Sequence, residues 1–265
     1  MSSPSLTAAA RPSFISKVPE VTLWFWIIKI LSTTVGETGA DLLAGRLHLG
    51  LALTSAIMTG LFALVLAFQL TAQRYLPWLY WLTVVLISVV GTLLSDNLVD
   101  GLHISLVTTS LAFGIGMVGV FSGWFMQEKT LSIRSINTPR REWFYWGAIL
   151  LTFAMGTSLG DLIAETLHLG YASAVLLFAA LIAVVAAIHF GSKLGGVATF
   201  WLAYILTRPL GASMGDLLAK PLKHGGFGLG TMSTSLIFLS VIAAVVVFIS
   251  ITRIDRLDAK PAENT

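Results

Sequence analysis

Cysteine is absent from the 265 residues, which excludes disulfides and thiolate metal sites and is neutral about compartment. Charge is scarce too. Only 11% of residues are Asp, Glu, Lys or Arg, against 56% hydrophobic, a balance that belongs with integral membrane proteins rather than soluble domains. No stretch alternates polar and apolar residues as a membrane strand must, so a β-barrel is disfavoured. Neither a nucleophile elbow, an HExxH pair nor a phosphate-cradling Gly-rich loop occurs, so no enzyme and no cofactor are expected.

What is present is a chain of apolar stretches, each of roughly 20 residues, the length that crosses a hydrocarbon core. They fall near 22–44, 49–71, 77–99, 104–126, 143–165, 171–190, 197–219 and 230–251. The expected fold is therefore an all-α integral membrane protein of eight transmembrane helices, in contact with the lipid bilayer.

One pattern is written four times: [Phe/Tyr]-Trp-x4-Leu-x4-Gly-x4-Asp-x5-Leu-[His/Lys]. Trp26, Trp81, Trp146 and Trp201 each precede an aspartate by fifteen residues: Asp41, Asp96, Asp161 and Asp216. Between them, at fixed offsets, stand Leu31, Leu86, Leu151 and Leu206, then Gly36, Gly91, Gly156 and Gly211. Leu47, Leu102, Leu167 and Leu222 follow, with His48, His103, His168 and Lys223 directly behind. Such repetition implies a pseudo-symmetric architecture. Each copy is a pair of helices, the odd-numbered one bearing the motif and the even-numbered one plainly apolar. The aspartates are spaced by 55, 65 and 55 residues, which groups the copies into two pseudo-symmetric halves. The chain accordingly divides into a tail 1–20, a first half 21–126, a linker 127–142, a second half 143–252 and a tail 253–265.

Lys and Arg are unevenly shared between the two ends of the helices. Eleven lie on the side of both termini and the links 72–76, 127–142 and 190–196, whereas Arg46, Lys220 and Lys223 lie on the other. By the positive-inside rule both termini are expected in the cytoplasm. The net charge of +3 thus reflects topology and makes no case for nucleic acid. Residues 1–20 lack an apolar core followed by a cleavage site and read as a tail, not a signal peptide.

Seven of the thirteen acidic residues stand in or at the end of the odd helices: Glu37, Asp41, Asp96, Asp100, Asp161, Glu165 and Asp216. An aspartate at the bilayer centre costs about 2.5–3.5 kcal/mol, which favours burial against polar partners or in a wet cavity. With each motif Trp at the cytoplasmic interface, fifteen residues of helix rise roughly 22 Å, so the aspartates should form a layer in the outer part of the membrane. Glu37, Asp100 and Glu165 each stand four residues from a motif aspartate, on the same helical face. The fourth copy has Ala212 and Lys220 instead. Thr33, Thr34, Thr38, Thr92, Ser95, Thr157, Ser158 and Ser213 add hydroxyl oxygens. An oxygen-rich, thiol-free set of this kind suits a hard divalent cation such as Mg²⁺, Mn²⁺ or Ca²⁺.

The remaining motif residues have plainer expectations. The tryptophans read as an interfacial belt and the histidines as interfacial or capping groups. The motif glycines suit tight helix crossings. Pro209 should kink the seventh helix. Lys29, three residues past Trp26, should snorkel to the interface, whereas Arg208 needs a carboxylate partner and offers a structural ion pair or a built-in countercharge.

The segment Lys17-Val-Pro-Glu-Val-Thr22, then Phe25-Trp26, Lys29 and Thr33-Thr-Val-Gly-Glu-Thr-Gly-Ala-Asp41, resembles the opening of a bacterial family of uncharacterised membrane-anchored proteins. That family is defined by a short repeat of unknown function. The resemblance covers roughly residues 17–252 and implies a multi-pass inner-membrane protein with no established reaction. Copy four departs from the pattern through Pro209, Lys220 and Lys223. A looser similarity, in motif style, is to cation and proton exchangers, including bacterial manganese exporters.

The favoured expectation is a secondary transporter that exports an inorganic cation such as Mn²⁺, with protons as a counter-ion. Asp41, Asp96, Asp161 and Asp216 with Glu37 would coordinate the ion. The alternatives are a cation channel with an acidic outer ring, and a membrane scaffold or small-molecule exporter without ion chemistry. A homo-oligomer is compatible with all three.

Overall fold

A computed structural model describes residues 16–47, 49–191 and 195–255. Its helices are α1 (Leu23–Asp41), α2 (Gly50–Thr71), α3 (Pro77–Asp96), α4 (Leu106–Glu128), α5 (Pro139–Asp161), α6 (Tyr171–Gly191), α7 (Gly196–Ala219) and α8 (Thr231–Thr252). No strand occurs among the described residues. Six of the eight are long and apolar enough to cross a membrane; α1 and α7 are not among them. The physical reason is their cargo of charge, since α1 carries Lys29, Glu37 and Asp41 and α7 carries Arg208 and Asp216.

Local chemistry sets the starts. The hydroxyls of Thr22, Ser105 and Thr138 accept from the backbone N–H groups of Phe25, Thr108 and Arg141, satisfying donors that a helix N-terminus otherwise leaves open. Pro77 and Pro139 occupy first-turn positions where a missing N–H costs nothing. Thr138-Pro139 therefore starts α5 four residues before the apolar stretch, and Arg140, Arg141 and Glu142 belong to its first turn instead of to the linker.

The odd helices form the centre of the molecule. Around a pseudo-fourfold axis the order is α1, α3, α5, α7, with α7 packing back on α1. Each even helix packs on the odd helix of the following copy: α2 on α3, α4 on α5, α6 on α7 and α8 on α1. This handover closes the ring, and α3 meets α5 as closely as it meets α1, so the 65-residue interval separates no layers. The even helices are mostly exposed and apolar, as lipid-facing helices are.

The motif is explained by the same cyclic rule. At Gly36 a side chain would place its first carbon 2.7 Å from the Cβ of Ser88; at Gly91 it would stand 2.7 Å from that of Phe153. At Gly156 the distance is 2.7 Å to Arg208, and at Gly211 it is 2.6 Å to Thr33. Every motif glycine thus receives the residue three positions before the glycine of the next copy, a separation no Cβ tolerates. The aromatic pairs close one end similarly. Phe25 lies 5.6 Å from Trp81, Tyr80 5.7 Å from Trp146, Tyr145 6.3 Å from Trp201 and Phe200 5.7 Å from Trp26, between ring centres.

One expectation is corrected here. Trp81, Trp146 and Trp201 are buried in this aromatic layer and form no belt; Trp78 and Trp143, outside the motif, are the exposed ones. Pro209 does not end α7, which runs on through it to Ala219, although its ring leaves the helix one N–H donor short.

Candidate cation-binding site

In three copies the α-helix passes, directly after the motif aspartate, into one π-helical turn: Leu42–Arg46, Asn97–Gly101 and Leu162–Thr166. These wider turns are the kind that mark functional positions in helices. Each ends at the motif leucine, and the following His103 and His168 take left-handed backbone conformations at φ 56° and 55°. Both histidines are exposed and lie outside the lining of the acidic cavity described next, so they terminate the turn. His48 lies outside the described residues.

Within the end of the bundle opposite the aromatic layer lies a cavity of about 390 Å³, lined by Glu37, Asp41, Asp96, Asp100, Asp161, Glu165 and Lys220 among others. Every acidic residue expected at the site, apart from Asp216, lines it. Carboxylate oxygens of Glu37, Asp161 and Asp216 lie within 4.8 Å of one another. They come from α1, α5 and α7, so no single helix could have made the cluster. Glu37 and Asp216 are buried. No hydrogen bond or ion pair within the described residues involves the carboxylates of Asp41, Asp96 or Asp161. Two carboxylates this close repel by about 3 kcal/mol at an effective dielectric of about 20, which a bound cation or a proton relieves.

One offset is built in. Arg208, fully buried on the axis, donates to Glu37 Oε2 at 3.2 Å, to Thr157 Oγ1 at 2.6 Å, to the Thr33 carbonyl at 3.3 Å and to the Thr92 hydroxyl. Glu37, Thr92 and Thr157 occupy one equivalent position, directly after the motif glycine in three copies; copy four has Ala212 there. A single guanidinium thus joins all the other copies at the centre. The expected carboxylate partner of Arg208 is Glu37.

The second offset is Lys220, at the position of Asp100 and Glu165. Its ammonium bonds Glu165 Oε1 at 3.0 Å and the Tyr171 hydroxyl at 3.0 Å, and stands 3.3 Å from Asp216. Partial burial works against its charge, but Asp216, Tyr171 and Glu165 outweigh that and raise its pKa. Lys220 therefore stays a cation.

Lys29 departs from expectation. It is fully buried and does not snorkel; its ammonium donates to the Tyr204 carbonyl at 2.9 Å and to the Thr207 hydroxyl. Val84, Ile149 and Tyr204 stand at the equivalent position in the other copies, so Lys29 faces the axis that they fill. From the cavity inward, the axis holds the Glu37 level, Arg208, Lys29 and the aromatic layer, where the Tyr80 and Tyr145 hydroxyls bond each other. Tyr171, Tyr204 and Thr207 escape a reading of the sequence, because the cations they meet, Lys220 for Tyr171 and Lys29 for Tyr204 and Thr207, come from other copies.

A family model described as Repeat of Unknown Function (DUF347) matches the chain four times, over residues 24–75, 79–130, 144–194 and 199–255. The chain belongs to this family. Each DUF347 match covers one odd helix and the even helix after it, so the matched unit is the two-helix copy. A single DUF347 repeat buries neither its glycine nor its aromatic pair, because both need the next repeat. No curated protein and no solved structure matches the chain.

Proposed function

We propose that this protein is a secondary transporter of a divalent inorganic cation such as Mn²⁺, which binds in the acidic cavity and exchanges for protons. The observation that carries this reading is the convergence of Glu37, Asp161 and Asp216 from three copies to within 4.8 Å, beside the carboxylates of Asp41 and Asp96, which have no partner among the described residues. All-oxygen ligands and excess negative charge favour a hard cation. All eight helices cross the membrane in this account, α1 and α7 shielded from lipid by their neighbours, with both termini cytoplasmic by the positive-inside rule. The cavity then opens outward.

A carrier accounts for the axis better than a channel does. An acidic ring at the mouth of a fourfold bundle fits a cation pore, but beneath the ring the axis is filled by Arg208, Lys29 and the aromatic layer. A cation following that path meets the permanent charge of the buried Arg208 and then a filled core. Alternating access, in which the inner end opens while the cup closes, supplies a route that a static pore lacks.

Calorimetric titration of the purified protein with Mn²⁺ tests the site. Replacing one ligand, Glu37→Gln or Asp161→Asn, is expected to weaken binding by about tenfold to a hundredfold. Affinity should fall as pH is lowered, because a protonated carboxylate is a poor ligand. Unchanged affinity in both variants sinks the assignment. Lys220→Met, which removes the tethered cation beside Asp216, is expected to tighten binding about threefold to fivefold; the same titration checks it, and weaker binding would instead make Lys220 a support for Asp216.

A further inference from the structure

Lys29 is the charged group for which the cation site leaves no task. Its ammonium is completely buried, 3.9 Å from the centre of the Tyr204 ring and 5.3 Å from that of Phe153. No carboxylate pairs with it among the described residues. Ionisable groups at such depth mark ion pathways and proton relays, because burying an unpaired charge is costly. A merely structural lysine would be cheaper as leucine.

The surroundings accept both of its protonation states. As an ammonium, Lys29 donates to the Tyr204 carbonyl and the Thr207 hydroxyl. The Thr207 hydroxyl now donates to that same carbonyl at 2.8 Å, and by rotating about its own C–O bond it can donate to a neutral amine instead. Arginine has no such neutral state. The groups facing Lys29 are Tyr204 and Arg208 of α7. Beneath it the aromatic layer contributes Tyr80 of α3 and Tyr145 of α5, and α8 has no titratable side chain. The Tyr204 hydroxyl is buried without a hydrogen-bond partner among the described residues.

Lys29 is also linked to the cation site. Thr207, its partner, immediately precedes Arg208, and both cations approach one ring: the Arg208 guanidinium carbon lies 5.8 Å from the centre of Phe153. With the cup empty, Glu37 offsets Arg208. A divalent ion that takes Glu37 as ligand withdraws that offset and adds positive charge, which leaves Lys29 as the one cation on the axis able to shed a proton.

We propose that Lys29 is the proton-carrying group of the cycle, releasing its proton when the cup takes up a cation and regaining it when the cup empties. The step balances: one N–H bond breaks, its electron pair stays on Nζ and accepts the Thr207 hydroxyl, and the proton passes to water. This inference rests on the cation-carrier reading.

The test counts protons released as Mg²⁺ or Mn²⁺ binds the full-length protein in weakly buffered detergent, using wild type, Lys29→Arg and Lys29→Met. Arg cannot deprotonate and Met carries no proton, so both variants should bind the ion yet release about one proton fewer per ion. Release equal to wild type in either variant overturns the proposal. A second measurement separates it from the cation reading: the ¹³Cε signal of Lys29 in lysine-labelled protein, assigned by its loss in Lys29→Arg. If wild type binds no cation, the cation reading fails, and a Lys29 signal that shifts with pH over a span where the other lysine signals stay constant still supports a proton site. A signal unchanged by pH throughout that span overturns it without reference to cations.

Discussion

Alanine at Gly36 or Gly211 is expected to prevent the central ring from closing. The added carbon would stand 2.7 Å from the Cβ of Ser88 in the first case and 2.6 Å from that of Thr33 in the second, with backbone carbons at 2.9 and 3.2 Å. Neither neighbour can turn away, because the clash reaches its main chain, so two helices must separate. The expected loss is about 3 kcal/mol or more, the upper range for overpacking. Alanine at Gly60 or Gly119, where nothing lies within 4 Å, should be neutral or slightly stabilising, since it favours the helix by up to about 1 kcal/mol. Thermal unfolding followed by loss of monodisperse protein would rank the four. Gly36→Ala combined with Ser88→Gly should recover part of the loss, because it moves the missing side chain across the same contact. Equal stability in all variants would mean that the glycines do not set the crossings.

Replacing Arg208 by Met is the second large effect. It leaves Glu37 buried without its ion pair and the hydroxyls of Thr92 and Thr157 without their shared donor. Breaking a buried pair from one side costs about 3–5 kcal/mol, mostly from the charge left behind. Arg208→Met with Glu37→Gln should therefore be more stable than Arg208→Met alone, and the double-mutant cycle would measure the coupling directly. Lysine is expected to rescue poorly, because a point ammonium cannot span Glu37, Thr33, Thr92 and Thr157 as a guanidinium fork does. Additive losses would show that the pair contributes nothing as a pair.

Much of this was legible in the residues. Eight helices, their division into motif-bearing and plain members, and the gathering of Glu37, Asp41, Asp96, Asp100, Asp161 and Glu165 around one cavity follow from hydrophobic length and fixed spacing. What spacing along a chain cannot give is the order of packing around an axis. That Gly36 meets Ser88 and Gly211 meets Thr33 depends on which helices neighbour each other, and the unequal aspartate intervals pointed to halves instead of a ring. Trp81, Trp146 and Trp201 misled for a related reason. An aromatic residue near the end of an apolar helix belongs equally to a belt or to a plug, and only the neighbouring copies decide. Lys29 misled because snorkelling is the default for a lysine near an interface; its carbonyl and hydroxyl partners come from α7, 175 and 178 residues away. Copy four, the one that departs from the pattern, supplies the two cations, Arg208 and Lys220, that offset the acidic cup.

The most direct test of the carrier account is Mn²⁺ flux into proteoliposomes, with internal pH recorded at the same time. Wild type should move the ion saturably, with protons moving the opposite way, and Glu37→Gln and Asp161→Asn should abolish both movements while the folded protein is retained. Saturable flux that survives both substitutions, or no movement of any divalent cation by correctly folded wild type, would contradict it.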